Sequence, residues 1–409
     1  MTAMRGSGIA RRLSAAVLAA TLGGCWAQPG FGPLHQGSNP FEDDLTTANV
    51  GTLDEAWSVR VDTGPVRSDP VVSGAGLVHV SDDRAAYGLA QSDGDRQWKR
   101  QVVPTGRPAT GSRLHVAWGG IPDDGGRLVL DASSGAMVSS SGGIGIETIT
   151  LRDPYVVTAF SGFVEQTLAG TGFGVTGGAH PWGQTLALEV APKLRAPTGP
   201  AVSSDRVYVG IERSWYGSNI LAGWDLEPGC SVIVPPECTP PVKTQLDGLP
   251  TGPVLSDDEA TVYVGTSAGT LYAIDADTGA VRWRAALGSA ISQQPALTPS
   301  TSRLHVVTDG GSLVTLPAGG CGSAVCPVPA DAVAALAGAP VRAPAVAGGV
   351  VYVASAGGTI EAFSAAAPGS ALFTDDLGAE ITGGPTVAAG RLLVGTADGR
   401  VVAYTPGGG

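Results

Sequence analysis

The chain has 409 residues, including 61 glycines and 30 prolines, with 15% charged residues and three methionines. That is longer than one ordinary domain, and the composition favours short strands and tight turns over long amphipathic helices. A formal net charge of −12 repels phosphate backbones and argues against nucleic acid as a partner.

The first predicted element is a targeting segment, residues 1–24. Arg5, Arg11 and Arg12 form a positive leader, and Leu13 to Thr21 is a short apolar run of leucines and small residues. The run is too short to span a bilayer and reads as a cleaved signal peptide. Leu22-Gly23-Gly24-Cys25 resembles a bacterial lipobox, which implies acylation of Cys25. An ordinary signal peptide with a chance cysteine is the alternative. At about 0.8 kcal/mol per buried methylene, two or three acyl chains hold a protein stably on a membrane. The expectation is an exported protein, lipid-anchored at the extracytoplasmic side of the cell envelope. Residues 25–52, rich in Pro, Gly, Gln and Asn, read as a linker and entry arm.

Residues 53–409 carry a repeat of roughly 40–50 residues, in the range of propeller blades. Its clearest copy, Thr251 to Leu287, predicts an inner strand at Pro253 to Leu255, then Thr261 to Gly265, Thr270 to Asp275 and Ala280 to Ala286. Asp277-Thr278-Gly279 forms the last hairpin turn. Second strands recur at Val78–Val80, Leu114–Val116, Tyr155–Val157, Val207–Val209, Leu304–Val306, Val351–Val353 and Leu392–Val394. Trp98 and Trp283 sit four residues after a turn glycine on the outer strand, as docking residues. The last copy stops at Tyr404 without an outer strand, and Leu53 to Val61, with Trp57, is available to supply it. The reading is an all-β, eight-bladed propeller of four-stranded antiparallel blades, with seven blades as the fallback.

Val262 through Trp283, together with Gln36 to Val50 and Leu53 to Trp57, resembles the pyrroloquinoline-quinone-type propeller repeat. That superfamily contains quinone-dependent dehydrogenases, the outer-membrane assembly lipoprotein type, and sensor or scaffold propellers. Its quinone-binding members characteristically carry a vicinal disulfide over the cofactor. This chain has no Cys-Cys pair and no set of Glu, Asn and Asp matching their calcium site. The lipobox with a compact propeller resembles the assembly-lipoprotein type, so no cofactor and no catalytic residue are expected.

Cys230/Cys238 and Cys321/Cys326 are close pairs in predicted third-to-fourth-strand turns, and in an exported chain they read as local disulfides. Zinc is the rival, but neither pair is Cys-x2-Cys and no histidine lies nearby in sequence. His79, His115 and His305 occupy the register held elsewhere by tyrosine, which marks a repeat position rather than a metal site. His35 and His180 are placed in loops.

Blades five to eight have minimal connections between strands two and three. Blades two to four are expanded at Gly119 to Gly126, Ser161 to Gly183 and Glu212 to Asn219. Asp123, Asp124, Trp182, Trp215 and Tyr216 lie in these insertions and predict one aromatic and acidic binding face. The leading function is a monomeric, non-catalytic envelope lipoprotein binding a protein or peptide. A quinone-dependent oxidoreductase and a polysaccharide-binding propeller are the alternatives.

Overall fold

The computed structural model describes residues 25–407, apart from 63, 112, 122–123, 144–145, 154, 166–167, 178–179, 191–198, 213–217 and 227–239. The predicted leader, Asp123, Trp215, Tyr216, Cys230 and Cys238 therefore lie outside the described residues.

The described strands group into eight sheets, each a four-stranded antiparallel meander. Sheet one comprises Val71–Ser73, Leu77–Ser81, Ala85–Ala90 and Arg96–Gln101; sheet two Ala109–Thr110, Leu114–Ile121, Asp124–Leu130 and Met137–Gly143. Sheet three comprises Ile146–Arg152, Tyr155–Glu165, Leu168–Gly177 and His180–Val190; sheet four Ala201–Val202, Arg206–Ile211, Ile220–Asp225 and Val242–Gln245. Sheet five comprises Val254–Leu255, Thr261–Gly265, Thr270–Asp275 and Val281–Ala286; sheet six Ala296–Thr298, Arg303–Thr308, Ser312–Pro317 and Val333–Ala335. Sheet seven comprises Ala345–Ala347, Val350–Ser355, Thr359–Ser364 and Phe373–Asp376, with Ser38–Asn39 added in parallel to its first strand. Sheet eight comprises Ile381–Ala388, Arg391–Thr396, Arg400–Pro406 and, as its outer strand, Leu53–Arg60. The architecture is a β-propeller.

Each sheet is covered by a neighbour on both faces, so second strands such as Thr261–Gly265 are buried along their whole length. That is why they read as continuous Val-Tyr-Val runs rather than alternating ones. The outer strand Val281–Ala286 alternates instead and turns Trp283 and Ala285 inward. Pro70, Pro108, Pro200, Pro253, Pro295 and Pro344 stand immediately before inner strands, where a missing N–H costs no ladder bond.

Three outer-strand tryptophans lock sheet to sheet. Trp57 Nε1 donates to Gln91 O of sheet one (3.1 Å), Trp98 Nε1 to Ala132 O of sheet two (3.0 Å), and Trp283 Nε1 to Ala318 O of sheet six (3.1 Å). Each indole lies on a turn glycine of the next sheet, Gly94, Gly135 or Gly320, all with positive φ. A Cβ there would sit 2.6–2.7 Å from the indole, so these turns need glycine for space as well as for backbone.

The N-terminal strand completes the last sheet, as the missing outer strand predicts. Leu53 to Arg60 pairs with Pro406 to Arg400. Thr386 Oγ1 then donates to Pro70 O (2.8 Å), and one apolar cluster runs through Tyr352, Tyr404, Tyr87 and Trp57, joining sheets seven, eight and one.

Two predicted insertions differ from expectation. In sheet three the stretch 161–183 is not a loop: it lengthens the hairpin of Tyr155–Glu165 with Leu168–Gly177. The end of that stretch lies in the outer strand His180–Val190, so Trp182 and His180 belong to a strand. In sheet two, Leu114–Ile121 and Asp124–Leu130 run through the predicted loop, and Asp124 opens a strand opposite Ile121. Pairing across the hairpin satisfies the backbone groups of the glycine-rich stretch 170–175 and holds it extended.

Candidate functional site

Residues 26–39, within the predicted linker and arm, wind inside the ring and meet the eight inner strands in order. Val72 N donates to Trp26 O, Thr110 N to Ala27 O, Val202 N to Pro33 O, Leu255 N to Leu34 O, Leu297 N to Gln36 O and Val346 N to Gly37 O. On sheet three the Gln28 amide stands in for a peptide, its Oε1 accepting from Leu151 N (2.7 Å) and its Nε2 donating to Leu151 O (3.3 Å). On sheet eight Asn39 Nδ2 donates to Val387 O (2.9 Å). The inner-strand partners are register-equivalent, so one edge polar group per sheet is satisfied by the arm. Gly30, Phe31, His35 and Gly37 all have positive φ, which curls the arm tightly enough to stay on the axis.

The arm floors a cavity of about 560 Å³ at the mouth where the inner strands begin. Arg67, Asp69, Asp83, Arg107 and Arg342 line it. Asp69 bridges two guanidiniums, Arg107 Nη1 at 3.1 Å and Arg342 Nε at 3.9 Å, while Asp83 pairs with Arg67 at 2.7 Å. Three arginines and two aspartates thus stand together at the mouth. Burial pushes the Arg342 guanidinium below its usual range.

His35, expected in a loop, is buried in this floor. Thr150 Oγ1 donates to Pro200 O (2.9 Å), so it accepts from His35 Nε2–H at 3.2 Å. Burial, then the charge of Arg107, lowers His35 to about 4. The arm carries no repeat signature, so only its exit toward Leu53 signalled a bound role.

The repeat-register histidines behave as packing residues. His79 Nε2 contacts Ser73 Oγ (3.0 Å), and His305 lies between Thr298 and Thr315 hydroxyls (2.9 and 3.0 Å). Burial lowers both to about 3. Among the described residues no group of three or more His, Cys, Asp or Glu side chains could hold a metal ion.

The other predicted site residues scatter. Cys25 is buried, with its thiol unpaired and its pKa raised by burial. Cys321 and Cys326 form a disulfide in the third-to-fourth-strand connection of sheet six, at the opposite face from the cavity. Its loop lies along the outer edge of sheet five, where Arg284 N donates to Ala324 O and Cys326 N to Arg284 O. The hairpins of Leu114–Ile121 with Asp124–Leu130 and of Tyr155–Glu165 with Leu168–Gly177 run toward the cavity face, because strand-two-to-three turns such as Asp83 line that mouth. Trp182 is instead on the outer strand of sheet three.

The family model described as outer membrane protein assembly factor BamB matches residues 42–229, 224–319 and 329–409. No curated protein matches the chain. Among solved structures, a europium-containing methanol dehydrogenase is similar with a TM-score of 0.69 at 13% identity, covering 94% of this chain and 98% of that one. The quinohemoprotein alcohol dehydrogenase from Comamonas testosteroni gives 0.67 at 13%, with 97% and 84% covered. BamB from Moraxella catarrhalis gives 0.56 at 16%, with 86% and 99% covered. At these identities the structures show the shared propeller fold. The family model spans most of the chain, and the protein belongs to the outer membrane protein assembly factor BamB family.

Proposed function

We propose that the protein is an exported lipoprotein, held through Cys25 at the extracytoplasmic side of a membrane, whose propeller is a non-catalytic scaffold for a protein or peptide partner. Family membership and the lipobox Leu22-Gly23-Gly24-Cys25 support this reading. The observation that carries it is the filled axis. With residues 26–39 bonded to every inner strand, the ring is a rigid platform, and contact falls to its faces. The lengthened hairpins of sheets two and three belong to the cavity face, beside the expanded connection of sheet four. The partner is expected on that side.

A calcium-quinone centre does not fit the described residues. Asp69 and Asp83, the carboxylates at the cavity, are already paired with arginines, and the arm occupies the floor. A propeller reading exposed aromatics as a glycan platform predicts the same surface, and the assay separates the two.

The test is capture of envelope proteins by parent and by the double variant Trp215→Ala, Tyr216→Ala, alongside Asp309→Ala and Ala397→Ser controls. Loss of capture by a folded double variant alone supports the reading. Equal capture by every form overturns the assignment of this face, and retention of polysaccharide in place of protein favours the glycan platform.

A further inference from the structure

We infer that the arm orients the propeller on the membrane: the mouth nearer Cys25 faces the bilayer, and the cavity mouth faces away. The inference rests on the lipoprotein reading of Cys25 and adds a direction to it.

The direction follows from strand polarity. Trp26 bridges Val72 in antiparallel sense, so the chain before Trp26 lies toward the end of the inner strand Val71–Ser73. The cavity lies at the other end, at Asp69, Arg107, Gln294 and Arg342, which precede their inner strands. The arm also leaves by the end it entered. Ser38–Asn39 runs parallel to Val346–Ala347, and Gly390 N, in the first turn of sheet eight, donates to Glu42 Oε2 (3.0 Å).

No slack separates anchor from ring. Trp26, the residue after Cys25, is already paired on both sides of its peptide with Val72 and is 3% exposed. A fully extended residue spans at most about 3.6 Å, so a single intervening bond cannot let the propeller turn over on its tether. A flexible linker would leave both faces free to meet the bilayer.

The exit carries an apolar contact suited to lipid. Phe41, 41% exposed, lies tilted against Phe31 with centroids 6.2 Å apart, and Phe31 meets the buried Trp26 edge-on at 5.5 Å. Asp43 and Asp44 beside it are exposed as well, so attraction to anionic headgroups does not set the orientation. The partner that fits is the apolar boundary of a bilayer, held there by the acyl chains.

The experiment uses the acylated full-length protein in phosphatidylcholine vesicles, with a benzophenone amino acid placed at Phe41 or, on the cavity rim, at Asp83. Mass spectrometry first records whether Cys25 carries lipid. The expected result is a lipid adduct at position 41 that is lost at position 83, and lost at both in the Cys25→Ser form. Acylated protein that labels lipid equally at both positions overturns the orientation while leaving the anchor intact. Absence of lipid on Cys25 overturns the anchor, and the orientation with it.

Discussion

The buried histidines of sheets one and six set a specific acid sensitivity. His79 and His305 are lowered to about 3 by burial, against 6.5 for an unperturbed imidazole. Between those values the unfolded chain binds protons that the folded chain does not, so stability is present at neutral pH and falls as pH drops through 6.5. At pH 5 the unfolded imidazoles are almost fully charged and the folded ones still neutral, which costs about 2 kcal/mol each, against about 0.2 kcal/mol at pH 7. The figure depends on the unfolded value alone provided the folded one stays below about 4.5. The double variant His79→Gln, His305→Gln keeps a donor for Ser73 and Thr298 and cannot titrate. Urea unfolding of parent and variant at pH 7 and pH 5 isolates the histidine contribution, since the other groups cancel. The parent should lose about 4 kcal/mol more than the variant over that interval, because the two sites lie in different sheets and add. Equal losses would refute the neutral buried state of these side chains.

Deleting residues 53–61 removes the outer strand of sheet eight and bares the edge of Arg400–Pro406, so the thermal midpoint should fall or the protein should aggregate; a deletion that melts like the parent would mean the last sheet closes otherwise. Trp98→Ala should cost about 3–5 kcal/mol for the lost indole, plus about 1 kcal/mol because Ala132 O loses its only described side-chain donor. Trp283→Ala should lack the second contribution, since Tyr263 Oη still donates to Ala318 O; paired chemical denaturation curves compare the two. Peptide mapping without reduction should find Cys321 joined to Cys326, and Cys230 joined to Cys238, with a cross-pair between the hairpins arguing against local bridges.

Much of the ring is written locally. Second strands sandwiched between neighbouring sheets must be apolar on both sides, so Val-Tyr-Val and Leu-His-Val recur in one register in five of the sheets, with Val-His-Val, Tyr-Val-Val and Leu-Leu-Val as variants in the others. The orphan Tyr404 strand and the spare strand carrying Trp57 are complementary deficits, which made closure legible from opposite ends of the chain. The disulfide turn at Cys321 and Cys326 was legible for the same reason, since it replaces a hairpin turn of fixed position.

What the tertiary structure alone decided is non-local. Trp26 to Asn39 has no periodicity, because its bonds step from sheet to sheet around the ring, with partners running from Val72 to Val387. Composition that resembles a linker is what a curled axial segment needs: glycine for positive φ, and Gln28 and Asn39 amides to imitate strand pairing. The cavity is equally dispersed, since Asp69, Arg107 and Arg342 stand in three separate repeats and meet only when the ring closes. The long hairpin of sheet three read as a loop because its glycines weaken the strand signal, and pairing across Tyr155–Glu165 and Leu168–Gly177 holds it extended.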